Sequence, residues 1–194
     1  AKQKTYGPLF LDMIRDYCKP REIAEVFKGA RKRPAALSAA TDGKRHGIAY
    51  VFLGKELGPR SDDAECYEDG KVQYDRLSNT ALFQEGLNRI GQGMASYRIA
   101  LMCSEKDPVI CHRTILVCRR LRNKDTRIRH ILEDGSVEEN DVTIRRLMNL
   151  LKLPESDLFT SPEEMVERAY DIQGDRIAYV QENEKGSQRN GRET

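Results

Sequence analysis

The feature that most constrains this chain is an apolar strand pattern that runs almost directly into a helical one. Residues 97–103 suit a buried strand, and residues 108–121 carry apolar side chains at helical spacing behind a proline. Two cysteines, a histidine, an arginine and acidic side chains lie between these patterns or open the second one. In open α/β proteins, ligands usually bind where a strand ends and a helix begins. The pattern therefore predicts a functional site over residues 103–113.

The order of the remaining patterns predicts one α/β domain over residues 1–181. Further strands are expected at 21–27, 47–53, 127–132 and 176–180, and further helices at 9–17, 35–45, 81–90, 144–151 and 162–170. The predicted helix caps are Thr80, Asp107 and Ser161, and Asp134-Gly135 is a turn signal. In the helix at 81–90 we expect a buried side formed by Leu82, Phe83, Leu87 and Ile90. The run at 47–53 is nearly continuously apolar, as in a strand buried on both faces of a parallel sheet. We expect a single-domain three-layer sandwich, with a mostly parallel sheet and helices on both faces.

Two segments depart from this regular pattern. Residues 61–79 are polar and contain tyrosines, so they predict a long excursion or flap instead of a core element. Tyr67 and Tyr74 would either stack on a ligand or anchor the flap on the core, and we favour anchoring. Residues 182–194 contain no apolar side chain and predict a disordered tail.

Composition narrows the class of protein. Lys and Arg number 33 against 31 Asp and Glu, so the chain has no overall positive field of the kind that drives nonspecific nucleic-acid binding. The five cysteines are an odd, scattered set behind a polar start, which favours a reducing cytoplasm over a disulfide framework. No apolar run approaches about 18 residues, so we expect no membrane span.

Several motifs resemble one known family, the widespread bacterial domain-of-unknown-function family 488. The most specific are Cys103-Ser-Glu-Lys-Asp-Pro108 and Cys111-His-Arg113; Gly47-Ile-Ala-Tyr50 before Gly54 and Gly58, and His130-Ile131 before Asp134-Gly135, are similar to two further landmarks. The resemblance extends from Lys4 to Tyr179. It implies the fold and the place of the site, but no activity, because none is established for the family.

The chain also departs from the family pattern. Glu25-Val26-Phe27 stands where members usually carry Asp-Val-Arg, Ala30-Arg31 stands for Ser-Arg, and Thr5-Tyr-Gly7 stands for Thr-Ile-Gly. If the missing arginine holds a ligand in other members, this change alters or abolishes activity here.

One hypothesis for the site is covalent catalysis by Cys111. A thiol in the first turn of a helix is stabilised as thiolate by the helix dipole, and Arg113 would add to this effect. Consecutive helical residues point about 100° apart, so His112 is badly placed as the base and His130 would be needed. Cys111 is as readily explained as a small apolar core residue, and Cys118 more so.

A second hypothesis is a metal site formed by Cys103, Cys111 and His112, with Glu105 completing the set. Thiolate and imidazole donors suit zinc or iron. The spacing is not that of a structural zinc motif, but catalytic metal sites use irregular spacing, so the hypothesis stays open.

A third hypothesis is a pocket for an anion. The amides after Asp107 and the guanidinium of Arg113 would bind a phosphate or carboxylate, with Glu105 as general base. The further ligand-binding candidates are Cys103, Arg31, Gly54, Arg60 and His130. The chain has no dinucleotide-binding or Walker glycine motif, so a dinucleotide or ATP of the usual kind is not expected.

The sequence favours the third hypothesis. It predicts a protein that binds a small anionic or nucleotide-like ligand at the junction, with hydrolysis or transfer carried out by Glu105, Cys111, His112 and Arg113. The alternatives are a non-catalytic binding or regulatory module for nucleic acid, and a Cys/His metal-binding protein. The substrate, the reaction and the oligomeric state do not follow from the sequence.

Overall fold

The computed structural model describes residues 23–27, 48–103, 105–122 and 126–181. The strands are β1 (Ile23–Phe27), β2 (Ile48–Phe52), β3 (Tyr67–Glu68), β4 (Lys71–Val72), β5 (Arg98–Met102), β6 (Arg129–Ile131) and β7 (Val137–Glu139). The α-helices are α1 (Tyr74–Ser78), α2 (Ala81–Met94), α3 (Arg119–Leu121), α4 (Asn140–Leu151) and α5 (Pro162–Ile177). The fold thus mixes helices and strands.

Within the described residues, the main sheet has three parallel strands in the order β2-β1-β5. In this register Phe27 at the end of β1 lies between Phe52 of β2 and Met102 of β5. The three strands therefore end at one edge of the sheet, and Cys103 leaves that edge directly after β5. The segment Glu25-Val26-Phe27, which differs from the family pattern, lies on the central strand at this edge.

The two strands that follow β1 in the chain lie on opposite sides of it. The chain passes from β1 to β2 on one side and then crosses to β5 on the other side of β1. The boundary between β1 and β5 is therefore a topological switch point, where open α/β sheets bind ligands beyond the carboxyl ends of the strands. The fold places Cys103 at this point.

The three predicted strands at 21–27, 47–53 and 97–103 are confirmed as β1, β2 and β5. The three-layer arrangement is not confirmed, because the helices predicted at 9–17 and 35–45, like the predicted tail 182–194, lie outside the described residues. The expected burial of both faces of β2 is wrong, because Phe52 is 44% exposed and Ala49, on the opposite face, is exposed as well.

Residues 61–79, predicted as an excursion, form a 3-10 turn at Ala64–Cys66, the β3–β4 hairpin and α1. The hairpin turns on Asp69 and Gly70, which both have positive φ, as a two-residue hairpin turn requires. Cys66, Val72 and Leu77 are buried in the core. The segment is thus tied to the core, and the hydroxyl of Tyr67 donates to the Ser61 carbonyl within it.

The helix α2 begins as predicted, with the Thr80 side chain accepting a hydrogen bond from the Phe83 amide. Phe83 and Ile90 are buried as expected, but Leu82 is exposed because it lies on the solvent side of the helix. Gly86 approaches the turn after β2 so closely that a Cβ there would lie 2.7 Å from Cβ of Glu56. The turn at 53–58 and α2 therefore pack as one unit.

The carboxyl-terminal part is antiparallel and helical. Strands β6 and β7 form a hairpin through the predicted Asp134–Gly135 turn, and α4 follows at once. The helix α5 begins with the predicted Ser161 cap, here a complete capping box. The predicted strand at 176–180 is wrong, because α5 continues to Ile177 and only Val180 forms a bridge, to Lys71.

Two groups of buried side chains form the described core. One joins the turn after β2, residues 66–77, α2 and the helix at 113–118, and the other joins that helix to α4 and α5. The helix at 113–118 thus contributes to both. Every helix among the described residues is too short or too polar to cross a bilayer.

Candidate functional site

The site is built by an interrupted helix. After β5 the chain passes through Cys103 and Glu105 to Asp107, whose carboxylate accepts a hydrogen bond from the Val109 amide and caps a 3-10 turn at Pro108–Ile110. A π-helical segment, Arg113–Cys118, then runs into α3. The predicted Asp107 cap and the position of Pro108 in the first turn are confirmed.

Cys111 lies in the break between the two helical pieces. Its backbone is extended, with φ −100° and ψ 127°, and its carbonyl accepts from the amides of Thr114 and Ile115. The sequence predicted Cys111 in the first turn of a helix, but Cys111 precedes the helix. The angle of about 100° between consecutive side chains holds only within a helix. Because the backbone of Cys111 is extended, Cys111 and His112 can both face Cys103 and Glu105.

The donor atoms of four side chains converge at the end of β5. The Cys103 thiol donates to Oε2 of Glu105 at 2.5 Å, and both ring nitrogens of His112 lie 3.4 Å from Cys103 Sγ. The same Glu105 oxygen is 3.5 Å from Cys111 Sγ and 3.7 Å from His112 Nδ1. One donor atom from each residue lies within 4.8 Å of those of the other three. We call Cys103, Glu105, Cys111 and His112 the donor cluster.

The donor cluster is buried on one side and open on the other. Cys111 is 0% exposed and His112 is 7% exposed, whereas Cys103 is half-buried and the Glu105 side chain is 33% exposed. Solvent therefore reaches the cluster past Glu105 and Cys103. A ligand-sized cavity beside it stays a prediction.

The pKa values of the two thiols shift in opposite directions. A hydrogen bond from Cys103 and the charge of Arg113 lower the pKa of Cys111 to about 6, against the opposing effect of burial. The bond to Cys111, burial and the nearby Glu105 carboxylate raise the pKa of Cys103. The two thiols therefore titrate as a pair, and in the singly deprotonated form the negative charge is favoured on Cys111 beside Arg113.

Arg113 faces inward. Its Nε donates to Cys111 Sγ at 3.2 Å and its Nη1 donates to the Leu101 carbonyl of β5 at 2.5 Å. It therefore compensates the Cys111 thiolate and ties the helix to the sheet. The predicted contact between this guanidinium and an external anion would compete with both bonds.

Two side chains that the sequence did not single out hold the loop in place. Arg146 of α4 binds both oxygens of Asp107 at 3.0 Å and also Glu138 at 3.0 Å. Gln173 of α5 donates to the Val109 carbonyl at 2.8 Å. No sequence signal marks either residue, because each reaches the loop from a distant helix.

The other predicted ligand-binding residues lie in other contacts. His130 Nε2 is 3.1 Å from Asn140 Oδ1, and burial together with the charge of Arg113 lowers the pKa of His130. Arg60 stacks on the Tyr179 ring at 3.8 Å, and the Gly54 carbonyl packs against Gly58. Arg31 lies outside the described residues. A ligand-binding role for these residues stays a prediction.

Comparison with family models bears on the site as well. Residues 29–119 match the model described as Domain of unknown function DUF488. The chain resembles the DUF488 family. The matched stretch contains β2, β5 and the whole donor cluster, but it is shorter than the span of 4–179 over which the motifs suggested a resemblance. Searches of curated proteins and of solved structures found no match.

Proposed function

We propose that this DUF488-like chain binds a divalent transition-metal ion through Cys103, Glu105, Cys111 and His112. The supporting observation is that one donor atom from each of the four lies within 4.8 Å of the others. Donors at about 2.0–2.3 Å from a tetrahedral ion lie about 3.3–3.8 Å apart. The separations of 3.4, 3.5 and 3.7 Å in the cluster fall in that range, whereas the 2.5 Å between Cys103 Sγ and Glu105 Oε2 is shorter and must lengthen when an ion binds.

The chemistry of the donors favours zinc or iron over magnesium or calcium. Two thiolates and an imidazole are soft or intermediate ligands, whereas magnesium and calcium prefer oxygen. Two thiolates and a carboxylate together carry three negative charges, which a partly buried site holds only with compensating positive charge or protons. In the apoprotein, the short Cys103–Glu105 hydrogen bond holds a proton that a divalent ion would replace.

The anionic-ligand hypothesis has less support. Arg113, its main cation, is engaged with Cys111 and Leu101. The carboxylate of Asp107 already occupies the amide of Val109, and its negative charge would oppose an anion there. If a small anion or nucleotide does bind, the accessible side of Glu105 and Cys103 is the better place for it, as a ligand of the proposed ion.

Thiol catalysis is favoured by the lowered pKa of Cys111 beside Arg113. A thiolate at neutral pH is a nucleophile suited to transfer or hydrolysis. However, Cys111 is 0% exposed, so a substrate could reach it only after movement of Glu105 or Cys103. A lowered pKa at Cys111 suits metal coordination equally well, because an ion binds the thiolate form.

Binding to nucleic acid stays an untested alternative. Of the basic ligand-binding candidates, Arg60 stacks on Tyr179 and Arg31 lies outside the described residues. The donor cluster gives this alternative no specific support.

Elemental analysis of the untagged protein tests the proposal. We expect near-stoichiometric zinc or iron after purification or after reconstitution with zinc under reducing conditions. The Cys103→Ser/Cys111→Ser double variant should bind the metal ion at least about tenfold more weakly, because two ligands are lost. Cys66→Ser is the matched control, because Cys66 is a buried thiol that lies outside the cluster.

The contrary outcomes are equally clear. If wild-type protein holds no zinc or iron under either condition, the metal proposal fails. Rapid alkylation of Cys111 by iodoacetamide, with a midpoint near pH 6, would then favour the thiol nucleophile.

A further inference from the structure

Two thiols of the donor cluster lie close enough together to form a disulfide. The sulfurs of Cys103 and Cys111 are among the donor atoms that lie within 4.8 Å of one another, and both cysteines are free. Because the sulfurs of a disulfide are about 2 Å apart, a gap of at most about 3 Å remains to be closed, which a change of side-chain rotamer accomplishes. The pair is therefore a candidate site of oxidation.

The two cysteines differ in their access to solvent. Cys103 is half-buried, whereas the other three described cysteines are buried. The Cys103 thiol donates a hydrogen bond to Oε2 of Glu105, a carboxylate that can take up its proton. Cys111 is 0% exposed, and its sulfur accepts a hydrogen bond from Nε of Arg113 at 3.2 Å. A soluble oxidant therefore reaches the sulfur of Cys103 first, and the sulfur of Cys111 lies behind it.

We propose that Cys103 and Cys111 form a reversible disulfide, with a small disulfide such as oxidised glutathione as the oxidant, and that its formation releases the metal ion from the donor cluster. The disulfide depends only on the positions of the two sulfurs, whereas the release of the ion rests on the proposed metal site. The ion and the disulfide use the same sulfurs, so each excludes the other. The oxidised cluster keeps only Glu105 and His112 as donors, fewer than the three or four that protein zinc sites use.

The disulfide forms by two thiol–disulfide exchange steps. The sulfur of Cys103 attacks one sulfur of oxidised glutathione while its proton passes to Glu105; the glutathione S–S bond breaks, and one glutathione leaves as thiolate. The Cys111 thiolate then attacks the sulfur of Cys103, the mixed S–S bond breaks, and the second glutathione leaves as thiolate. The two protein sulfurs lose two electrons in all. These electrons reduce one oxidised glutathione to two glutathione thiolates, which take up the proton from Glu105 and one from water.

Peptide mapping of the oxidised protein tests this inference. Trypsin places each of the five cysteines on a separate peptide, with Cys103 in residues 99–106 and Cys111 in residues 107–113, so the disulfide gives one linked pair of these two peptides. Metal-free wild type and Cys66→Ser are equilibrated with reduced and oxidised glutathione, and the free thiols are then blocked with N-ethylmaleimide. Cys66→Ser is the matched control, because Cys66 is a buried thiol outside the cluster. The same reaction in urea measures what the separation along the chain alone contributes.

We expect the linked pair in wild type and in Cys66→Ser, and its loss when dithiothreitol is added. The ratio of this disulfide to the mixed disulfide of Cys103 with glutathione should be at least about tenfold higher in folded protein than in urea, because the fold holds the two sulfurs near each other. Cys111→Ser should accumulate the mixed disulfide, whereas Cys103→Ser should stay largely unmodified at the fully buried Cys111. Absence of the linked pair, or an equal ratio in folded protein and in urea, overturns the inference.

Zinc-loaded protein separates this inference from the metal site. Oxidised glutathione should release zinc, measured with a chromophoric chelator, in proportion to the linked peptide pair. Stoichiometric zinc binding together with no linked pair in the metal-free protein overturns the disulfide and leaves the metal site intact. A linked pair in protein that never binds zinc overturns the metal site and the release of the ion, while the disulfide stands. Zinc that stays bound after the disulfide has formed completely overturns the release alone.

Discussion

Both ring nitrogens of His112 lie 3.4 Å from the sulfur of Cys103, although the two residues are nine positions apart. The extended backbone of Cys111 makes this possible, because it lets the helix start again at His112 with the ring directed to the end of β5. The break in the helix therefore determines the site. An uninterrupted helix from Pro108 would point Cys111 and His112 in different directions.

Metal binding at this cluster should stabilise the fold. An ion at a hundred times its Kd stabilises the folded state by about 2.7 kcal/mol, which corresponds to roughly 5–10 °C in Tm for a chain of this size. Calorimetry of wild-type protein with zinc and with a chelator should show this difference. The Cys103→Ser/Cys111→Ser variant should melt at one temperature under both conditions. An equal zinc effect in that variant would locate the ion elsewhere.

Replacement of Arg113 by Gln should destabilise the protein and raise the pKa of Cys111. The change removes donors to the Cys111 thiolate and to the Leu101 carbonyl, two bonds in a largely buried setting. We expect a loss of about 2–4 kcal/mol in urea unfolding, since a buried charge then lacks its partner. The ultraviolet absorbance of the thiolate in the apoprotein, followed against pH, should move to higher pH.

Arg76→Gln is the control for this change. Arg76 pairs with Glu68 on the surface, where both side chains are more than half exposed, so its loss should cost at most about 1 kcal/mol. Equal losses in the two variants would mean that Arg113 is no more than a surface cation.

The sequence predicted the three parallel strands and the starts of α2 and α5 because these depend on local patterns. The apolar runs of β2 and β5, the caps Thr80 and Ser161, and the turn at Gly135 all lie where expected. The Asp69–Gly70 pair is a strong local hairpin signal, so the β3–β4 hairpin was also within reach of a local pattern.

Other features could not be read from local patterns. The break at Cys111 depends on contacts from distant helices: Gln173 binds the Val109 carbonyl and Arg146 binds Asp107. The inward orientation of Arg113 depends on the position of the β5 carbonyl of Leu101. A guanidinium beside a predicted anion site looks the same in sequence whether it faces a ligand or the core. Tertiary geometry is therefore needed to weigh the hypotheses that the sequence left open.

The pair formed by Asp107 and Arg146 should show energetic coupling. Arg146 binds both carboxylate oxygens, a geometry stronger than a single contact, but both side chains are more than a third exposed. A double-mutant cycle with Asp107→Asn and Arg146→Gln should therefore give about 0.5–1 kcal/mol of coupling. Additive effects of the two changes would show that Arg146 gains stability only from its contact with Glu138.

His130 should make the stability sensitive to acid. Burial and the charge of Arg113 lower its pKa, although the bond to Asn140 opposes them, so the folded state binds a proton less readily than the unfolded chain with its pKa of about 6.5. Stability present above about pH 6.5 should therefore be lost as the pH falls below it. Urea unfolding of wild type and His130→Gln between about pH 5 and 7.5 measures this term, and the variant should give the flatter profile. Parallel profiles would contradict the assignment to His130.

Two glycines in the same helix should respond in opposite directions to alanine. At Gly86 a Cβ would lie 2.7 Å from Glu56 Cβ and 2.8 Å from Leu57 Cγ, so the turn after β2 must move, at a cost of about 1–3 kcal/mol. At Gly91 a Cβ would meet nothing within 4 Å, so Gly91→Ala should stabilise by up to about 1 kcal/mol through helix propensity. Urea unfolding measures both variants. Because the helix and the substitution are the same, a gain at Gly86 would refute the close packing of α2 on that turn.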